Sequence, residues 1–259
     1  MLRDRQKLWL DGPERPLLKS NEVHVWRTCL NLSSRVLLQL WDLLSPDEKQ
    51  RADKFHFQRD RDHFVAARGG LRDVLGRYTG SAPQSLQFSY DGYGKPRLSG
   101  EAGAEPPRFN VSHSHGVALY AVAAGREVGI DLEHVREDFA GLEIAERFFS
   151  RNEVAALSTL PSEERAPAFF DCWARKEAYI KARGEGLSYP LHRFTVSLAP
   201  GQPAALLCTD DDPQEAARWS LVELFPGEGF RAALAVRGET PSVRLWLWPT
   251  GGRFCEVPR

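Results

Sequence analysis

The fold of this chain is decided by the stretch Val128-Gly129-Ile130-Asp131-Leu132-Glu133, which lies at the middle of its 259 residues. Apolar and acidic residues alternate in it, and this alternation predicts a β-strand that buries one face. Asp131 and Glu133 then point to one side of the strand, while Ile130 and Leu132 point to the core. The preceding Gly125-Arg126-Glu127 is typical of a turn, so we place the boundary between two halves of the chain here.

The two carboxylates of this strand, Asp131 and Glu133, repel each other if nothing lies between them. At a separation of about 6.5 Å and an effective dielectric constant of about 20, the unscreened repulsion is about 2.5 kcal/mol. A divalent cation would reverse the sign of this energy. Exposure of both side chains to water at a sheet edge would also relieve it, and the sequence pattern alone leaves both alternatives open.

Before this strand, the sequence predicts helices and strands that can form one lobe. Ser45-Pro46-Asp47-Glu48 combines an N-cap serine, a proline at the first helical position and a glutamate three residues after the cap, so a helix begins there. The helix predicted over 60–78 has an apolar face and carries Arg68 and Arg72 on its other faces. The remaining predicted elements are a helix over 35–44 and strands over 23–26, 86–88, 109–112 and 117–123.

The second half of the chain also mixes helices with strands. Strands and helices in both halves are typical of the α+β class, with two lobes of similar size and a cleft between them. We divide the chain into an N-terminal extension (1–22), an N-terminal lobe (23–125) and a C-terminal lobe (126–259). The predicted helices of this half cover 142–149, 150–160 (with a capping box of Ser150 and Glu153) and 163–183, and its strands cover 194–198, 205–208, 219–225, 230–236 and 243–248.

Composition and charge exclude several classes of protein. The chain has 34 basic and 35 acidic residues and a formal net charge of -1, so we expect neither nucleic acid nor membrane as a partner. Its longest apolar run, 117–124, is too short to span a bilayer, and its charged first residues do not fit a signal peptide, so we expect a cytoplasmic protein. The four cysteines lack the spacing of a zinc site, and neither Gly-x-Ser-x-Gly nor a glycine-rich phosphate-binding motif occurs.

A second group of candidate residues lies on the helix predicted over 163–183. Glu177 and Lys181 are one turn apart there, and an exposed pair of this kind is worth only about 0.3–0.5 kcal/mol. Lysine is rare in this chain, however, because only 7 of its 34 basic residues are lysines. The use of lysine at Lys95, Lys176 and Lys181 indicates that a compact ammonium group matters at these positions.

A third group, Asn110-Val111-Ser112-His113-Ser114-His115-Gly116, is rich in hydrogen-bond donors at a point where a strand would turn. Such a place suits phosphate oxygens. His113 and His115 could instead bind a metal, although no third ligand lies at a spacing that completes a zinc set, and an ordinary turn is a further alternative. For Glu153, the capping box alone is a sufficient explanation.

Four motifs, in their order along the chain, resemble those of the 4′-phosphopantetheinyl transferases, in particular the monomeric branch that activates surfactin synthetase. They are Gly94-Lys95-Pro96, Phe109-Asn110-Val111-Ser112-His113-Ser114, Val128-Gly129-Ile130-Asp131-Leu132-Glu133 and Trp173-Ala174-Arg175-Lys176-Glu177-Ala178-Tyr179-Ile180-Lys181. The resemblance implies transfer of the phosphopantetheine arm of coenzyme A to a serine of an apo acyl or peptidyl carrier protein, with release of adenosine 3′,5′-bisphosphate. It also implies a monomer of two pseudo-twofold-related lobes, each a small antiparallel sheet packed against helices, with coenzyme A in the cleft between them.

The same resemblance implies roles for individual residues. Asp131, Glu133 and Glu177 would be the Mg²⁺ ligands, and Lys181 would contact the pyrophosphate and protonate the departing bisphosphate. The base that activates the serine would be Glu177 or a metal-bound water positioned by Glu153. Contacts to coenzyme A would come from Arg68 at the 3′-phosphate, Ser112 and His113 at phosphate oxygens, and Lys95 and Pro96 near the adenine. The chain departs from the family early in the second helix, where typical members have lysines, and Arg51 is our candidate there for a further contact to the 3′-phosphate.

Two other functions fit parts of the pattern. Another Mg²⁺-dependent enzyme, acting on a phosphorylated metabolite, would use the same carboxylates but leave Lys95-Pro96 and Arg68 without an adenine nucleotide to bind. A non-catalytic adaptor that binds carrier proteins would need no metal. The sequence does not distinguish carriers of fatty-acid, polyketide and nonribosomal-peptide synthesis.

Overall fold

The computed structural model describes residues 9–99, 105–136 and 141–249, which form helices and mostly antiparallel strands. The α+β class predicted from the sequence is therefore confirmed. The helices are α1 (Ser34–Leu43), α2 (Pro46–Ala52), α3 (Gln58–Thr79), α4 (Gly141–Phe148), α5 (Arg151–Thr159) and α6 (Ser162–Arg183). The strands are β1 (Leu10–Asp11), β2 (Glu22–Cys29), β3 (Phe88–Tyr90), β4 (Pro96–Leu98), β5 (Arg108–Ser114), β6 (Val117–Ala123), β7 (Val128–His134), β8 (Phe194–Val196), β9 (Leu206–Thr209), β10 (Trp219–Leu224), β11 (Phe230–Arg237) and β12 (Ser242–Leu247).

The chain folds into two compact units. Of the described residues, unit 1 comprises 9–89, 96–99, 105–125 and 243–249, and unit 2 comprises 90–95, 126–136 and 141–242. The chain passes from one unit to the other after Gly125, at the turn that the sequence predicts. It also passes briefly into unit 2 between β3 and β4 and returns to unit 1 for β12.

Unit 1 is built on a five-stranded sheet with the strand order β1-β12-β2-β6-β5. β6 is antiparallel to both of its neighbours, with Tyr120 opposite Trp26 of β2 and Leu119 opposite Ser112 of β5. β6 is buried along its whole length, as expected for a strand of unbroken apolar sequence at the centre of a sheet. α3 packs against this sheet, where the hydroxyl of Tyr120 donates a hydrogen bond of 3.0 Å to the carbonyl of Ala67.

Unit 2 is built on a three-stranded antiparallel sheet with the strand order β10-β11-β7, and α6 packs against one face of it. A Cβ atom at Gly129 of β7 would lie 2.1 Å from the carbonyl oxygen of Ala178 and 2.4 Å from the amide nitrogen of Ala182. The strand and the helix therefore approach so closely that this position requires glycine. α6 ends at Gly184, whose φ of +82° is the left-handed conformation typical of a helix end.

The sequence predicted the ends of the helices well and the neighbours of the outer strands poorly. The predicted helices are confirmed to within two residues at each end. β12, which the sequence division placed in the C-terminal lobe, lies instead in the sheet of unit 1, between β1 and β2. β1 also joins that sheet, although it falls within the predicted extension 1–22. Period-two alternation predicts a strand, but it does not specify which strand lies beside it.

None of the helices in the described part of the chain combines the length and the apolar character needed to cross a membrane.

Candidate active site

The acidic residues of β7 face α6. Ile130 and Leu132 are buried on the other side of the strand, as the alternation predicts. Asp131 is also buried, and Nζ of Lys181 on α6 donates a hydrogen bond of 2.5 Å to its Oδ1 atom. Glu177 lies one helical turn before Lys181. We refer to Asp131, Glu133 and Glu177, together with Lys181, as the acidic cluster.

The groups of the acidic cluster change one another's pKa values. Burial, followed by the charge of Asp131, raises the pKa of Glu133 to about 7, although Lys181 opposes this change. The pKa of Glu177 is raised by the same two causes. Burial alone would lower the pKa of Lys181, but Asp131, Glu177 and Glu133 raise it above its ordinary value. The structure thus brings these four predicted site residues close enough to interact.

The acidic cluster offers the donors that a hard divalent cation prefers. Carboxylate oxygens are typical ligands of Mg²⁺ in proteins. A single ammonium group does not neutralise three carboxylates, and burial together with the charge of Asp131 raises the pKa values of Glu133 and Glu177. Within the ranges that the structure describes, no group of three or more His, Cys, Asp or Glu side chains is arranged so that it could hold a metal ion. The acidic cluster matches Mg²⁺ in the type of its donor atoms but not in their arrangement, since the ammonium group of Lys181 lies against Asp131.

Lys95 joins the end of α6 to the start of β7. Its side chain is buried, and Nζ donates to the carbonyl of Ala182 at 2.9 Å, the carbonyl of Val128 at 3.2 Å and the carboxylate of Glu127 at 3.2 Å. A cation at the last turn of a helix is favoured by the helix dipole. The family resemblance implies that Lys95 and Pro96 lie near the adenine. In the structure, the ammonium group of Lys95 binds only atoms of unit 2 among the contacts given above, while Pro96 begins β4 in unit 1.

Glu153 lies in a separate, fully buried place. Its carboxylate accepts hydrogen bonds from the amide of Ser150 at 2.8 Å and from the amide of Val196 at 2.7 Å, and it forms an ion pair of 2.8 Å with Nζ of Lys176. Lys176 is itself completely buried and donates to two backbone carbonyls. Both carboxylate oxygens of Glu153 are therefore engaged. The structure shows Glu153 as a helix cap and as the ion-pair partner of Lys176. That Glu153 positions a metal-bound water stays a prediction.

Glu48 holds two arginines of α3. Its carboxylate accepts hydrogen bonds from Nε of Arg68 and, at 2.6 Å, from Nε of Arg72. Burial alone would raise the pKa of Glu48, but the two arginines hold it below its ordinary value. Arg72 is fully buried and also donates to two carbonyls, although the helical periodicity predicts an outer face for it. Arg51, in contrast, is exposed at the end of α2.

Ser112 and His113 lie on β5, where Ser112 is buried and His113 is exposed. The turn that follows is His115-Gly116, and both of its residues have positive φ values, +48° and +78°. Two such residues form the tight hairpin turn that matches the twist of the flanking strands. His115 therefore has a backbone role in the turn.

The predicted site residues are divided between the two units. Asp131, Glu133, Glu177, Lys181 and Lys95 belong to unit 2, and Arg51, Arg68, Pro96, Ser112 and His113 belong to unit 1. Arg231 of β11, which is not among the residues predicted from the sequence, lies directly opposite Glu133. Only the register of the sheet reveals this position, and no local sequence pattern gives a register.

Comparison with known proteins gives matches along most of the chain. One family model, described as 4'-phosphopantetheinyl transferase superfamily, matches residues 127–235, and another, described as 4'-phosphopantetheinyl transferase, N-terminal, matches residues 29–127. The 4'-phosphopantetheinyl transferase HetI of Nostoc sp. is 40% identical over 93% of this chain and 98% of its own length. The 4'-phosphopantetheinyl transferase Sfp of Bacillus subtilis is 32% identical over 60% of this chain and 66% of its own length. Among solved structures, the holo-[acyl-carrier-protein] synthase of Thermotoga maritima is 25% identical over 44% of this chain and 63% of that chain, with a TM-score of 0.36.

Proposed function

The chain belongs to the 4′-phosphopantetheinyl transferase superfamily, and we propose on this premise that it transfers the 4′-phosphopantetheine arm of coenzyme A to a serine of an apo acyl or peptidyl carrier protein. The second product is adenosine 3′,5′-bisphosphate. The observation that carries the proposal is the acidic cluster on β7 and α6. Phosphoryl transfer asks a protein mainly to align the reactants and to neutralise charge. The ammonium group of Lys181 can neutralise phosphate charge directly, and the carboxylates would do so through a cation that they hold.

The proposed cofactor is Mg²⁺, and the residues that would hold it are Asp131, Glu133 and Glu177. When bound, the ion supplies a Lewis acid that neutralises the negative charge of the pyrophosphate. The support for this assignment is electrostatic. Burial and mutual repulsion disfavour the ionised forms of Glu133 and Glu177, and a cation among them would favour those forms.

Glu177 and Lys181 move protons in the proposed reaction. The serine oxygen of the carrier protein forms a bond to the phosphorus that bears pantetheine, and the bond from this phosphorus to the bisphosphate breaks. Glu177 accepts the serine proton, which a carboxylate kept ionised by the neighbouring cation can do through an oxygen that the cation does not occupy. Lys181 donates a proton to the departing bisphosphate, and the neighbouring carboxylates keep its ammonium group protonated until that step.

In this proposal, coenzyme A is bound by the residues that were predicted for it from the sequence. Arg68 and Arg51 bind the 3′-phosphate, and Ser112 and His113 bind phosphate oxygens. Arg51 is suited to this because it is exposed. Lys95 and Pro96 contribute their backbone near the adenine. The ammonium group of Lys95 is not used for this, because it binds Ala182, Val128 and Glu127.

We also propose that the protein acts as a cytoplasmic monomer. The support for a monomer is the resemblance to the monomeric branch of the family. The near-equal number of acidic and basic residues provides no overall charge for attraction to a membrane or to nucleic acid. The carrier protein would serve fatty-acid, polyketide or nonribosomal-peptide synthesis. Transfer to one apo carrier of each kind distinguishes these three.

Mass spectrometry of apo carrier proteins tests the proposed function. The full chain, coenzyme A and Mg²⁺ are incubated with one apo carrier of each of the three kinds, and the expected result is a mass increase of one phosphopantetheine on a serine. Asp131→Ala should lower the rate by at least about 100-fold, because it removes a charged group from the proposed reaction centre. Asp211→Ala, which breaks an exposed ion pair with Arg193, is the matched control and should transfer normally. No mass increase on any carrier would contradict the proposal and would favour a non-catalytic adaptor.

A further inference from the structure

Arg231 lies directly opposite Glu133 in the sheet of unit 2. β11 and β7 are antiparallel, and their register pairs Arg231 with Glu133 and Ala233 with Asp131. Side chains at directly opposite positions point to the same face, with Cβ atoms about 4.5–5.5 Å apart. The guanidinium group of Arg231 is therefore within reach of the Glu133 carboxylate, and opposite charges at such positions attract each other. By register alone, Glu133 is the expected ion-pair partner of Arg231.

The structure shows a different partner. Nε of Arg231 lies 3.2 Å from Oδ1 of Asp171 on α6, and Nη1 donates a hydrogen bond of 3.0 Å to the carbonyl of Phe230. Across the three described ranges of the chain, no ion pair joins Arg231 to Glu133. The side chains of Asp171 and Arg231 are 21% and 30% exposed, so water screens their attraction only in part.

This choice of partner decides the charge beside Glu133. If Arg231 were paired with Glu133, its guanidinium group would neutralise one carboxylate of the acidic cluster and compete with a metal ion for it. Because Arg231 pairs with Asp171, its guanidinium group does not neutralise the carboxylate of Glu133.

We propose that Asp171 is a positioning residue that holds the guanidinium group of Arg231 away from Glu133 and so keeps the Glu133 carboxylate available to Mg²⁺. The inference rests on the proposed function, because it takes the acidic cluster as the metal site. It assigns Asp171 no contact with a substrate and no part in proton transfer. α6 would then carry both Glu177, a metal ligand, and Asp171, which protects a second ligand on β7.

A double-mutant cycle of Asp171→Asn and Arg231→Gln in the full chain tests this proposal. The readout is the affinity for Mg²⁺, measured by calorimetric titration of MgCl₂ into protein with coenzyme A, and the transfer rate is measured alongside. Asp171→Asn should weaken Mg²⁺ binding about fivefold, because a cross-strand ion pair worth about 1 kcal/mol then competes with the metal. Arg231→Gln alone should change the affinity little. Added to Asp171→Asn, it should restore the wild-type affinity to within about twofold.

The cycle separates positioning from a simple effect of charge. If the charges act independently at a distance, Arg231→Gln gives the same fold-change in the wild type and in Asp171→Asn. That result, or a double variant that binds no better than Asp171→Asn, would overturn the proposal. Asp211→Asn breaks another Asp–Arg pair of unit 2, the pair with Arg193, and as the matched control it should leave Mg²⁺ binding unchanged.

Two further measurements keep the outcomes distinct. Thermal unfolding shows whether each variant is folded, and the cycle is repeated with Asp171→Ser if Asp171→Asn is not. A wild-type chain that transfers no phosphopantetheine contradicts the proposed function. A wild-type chain that is active but shows no coupling between Asp171 and Arg231, or that transfers without binding Mg²⁺, contradicts this inference and leaves the transfer activity standing.

Discussion

Burial and the charge of Asp131 raise the pKa of the Glu133 carboxyl group in the folded chain to about 7, from an ordinary value of 4.5. Between these two pH values the folded chain retains a proton that the unfolded chain has released. Since stability falls with rising pH wherever the folded state binds more protons, Glu133 destabilises the fold progressively as the pH rises from 4.5 to about 7. Below and above this window its contribution is constant.

We therefore predict that Glu133→Gln is more stable than the wild type at about pH 8, and that the difference vanishes at about pH 4. A shift of this size corresponds to about 1–2 kcal/mol after allowance for the screening of a partly exposed group. Urea unfolding at both pH values, without Mg²⁺, measures the difference. Glu143→Gln, at an exposed position on α4, is the control and should show no such change. Equal stability of Glu133→Gln and wild type at both pH values would contradict the prediction.

The sequence predicted the direction of single side chains better than their partners. Strand alternation placed Asp131 and Glu133 on one side of β7, and the structure agrees. The rarity of lysine drew attention to Lys95 and Lys176, but the first binds the end of α6 and the second binds Glu153. Which charges meet depends on which elements pack together, and periodicity within one element contains no information about that.

At the scale of elements, the contact between β7 and α6 sets the spacing of the acidic cluster, and Gly129 permits that contact. Gly129→Ala would place a methyl group 2.1 Å from the carbonyl oxygen of Ala178, which cannot be accommodated without moving the helix. We predict a loss of about 1–3 kcal/mol of stability and a larger loss of transfer activity, because Glu177 and Lys181 would move relative to Asp131.

Urea unfolding and the transfer assay measure the two effects of Gly129→Ala. The matched control is Gly141→Ala at the start of α4, where the nearest atom to an added Cβ, in the ring of Phe169, is 3.5 Å away, an ordinary contact. That variant should keep its stability and its activity. If Gly129→Ala keeps full activity, the close approach of β7 to α6 does not set the geometry of the site.

The buried pair of Glu153 and Lys176 also acts between elements, because it joins the start of α5 to α6 and to the chain beside β8. Removal of one partner leaves an uncompensated buried charge, so we predict that Lys176→Met costs about 3–5 kcal/mol. The double variant Glu153→Gln/Lys176→Met should cost less than the two single changes added together. Urea unfolding of the three variants measures this coupling.

The same variants separate the capping role of Glu153 from a catalytic role. Folded Glu153→Gln should transfer phosphopantetheine within about threefold of the wild-type rate, because Glu153 lies outside the acidic cluster. Glu177→Gln should fold and lose transfer. A Glu153→Gln variant that is folded but inactive would show that Glu153 takes part in the reaction.

Helix starts were predictable because their signals are local. Ser45 with Glu48, and Ser150 with Glu153, form the capping boxes that the sequence predicts, and α2 and α5 begin directly after the two serines. The second functions of Glu48 and Glu153 were not predictable, because Arg72 and Lys176 reach them from distant elements. Local signals fix where an element begins, and packing decides what else its residues do.

At the scale of the whole molecule, the order of the chain and the order of the sheet differ in unit 1. β12 comes last among the described strands, yet it lies between β1 and β2. Trp248, directly after β12, is 2% exposed, donates its backbone N–H to the carbonyl of Arg27 at 3.0 Å, and donates its indole N–H to the carboxylate of Asp73 at 2.7 Å. Unit 1 therefore depends on residues from both ends of the sequence.

We predict that the chain cannot be divided into folded halves at the boundary the sequence suggests. A fragment of residues 1–125 lacks β12, so it leaves β1 without its sheet neighbour and removes Trp248 from the core. Circular dichroism should show no cooperative thermal transition for this fragment, whereas the full chain unfolds cooperatively. In the full chain, Trp248→Ala keeps the strand and should cost about 3–5 kcal/mol, which separates the loss of the side chain from the loss of the strand. A cooperative transition of the isolated fragment would show instead that β2, β6 and β5 with α3 suffice for a stable fold, and that β12 only extends a sheet that is already complete.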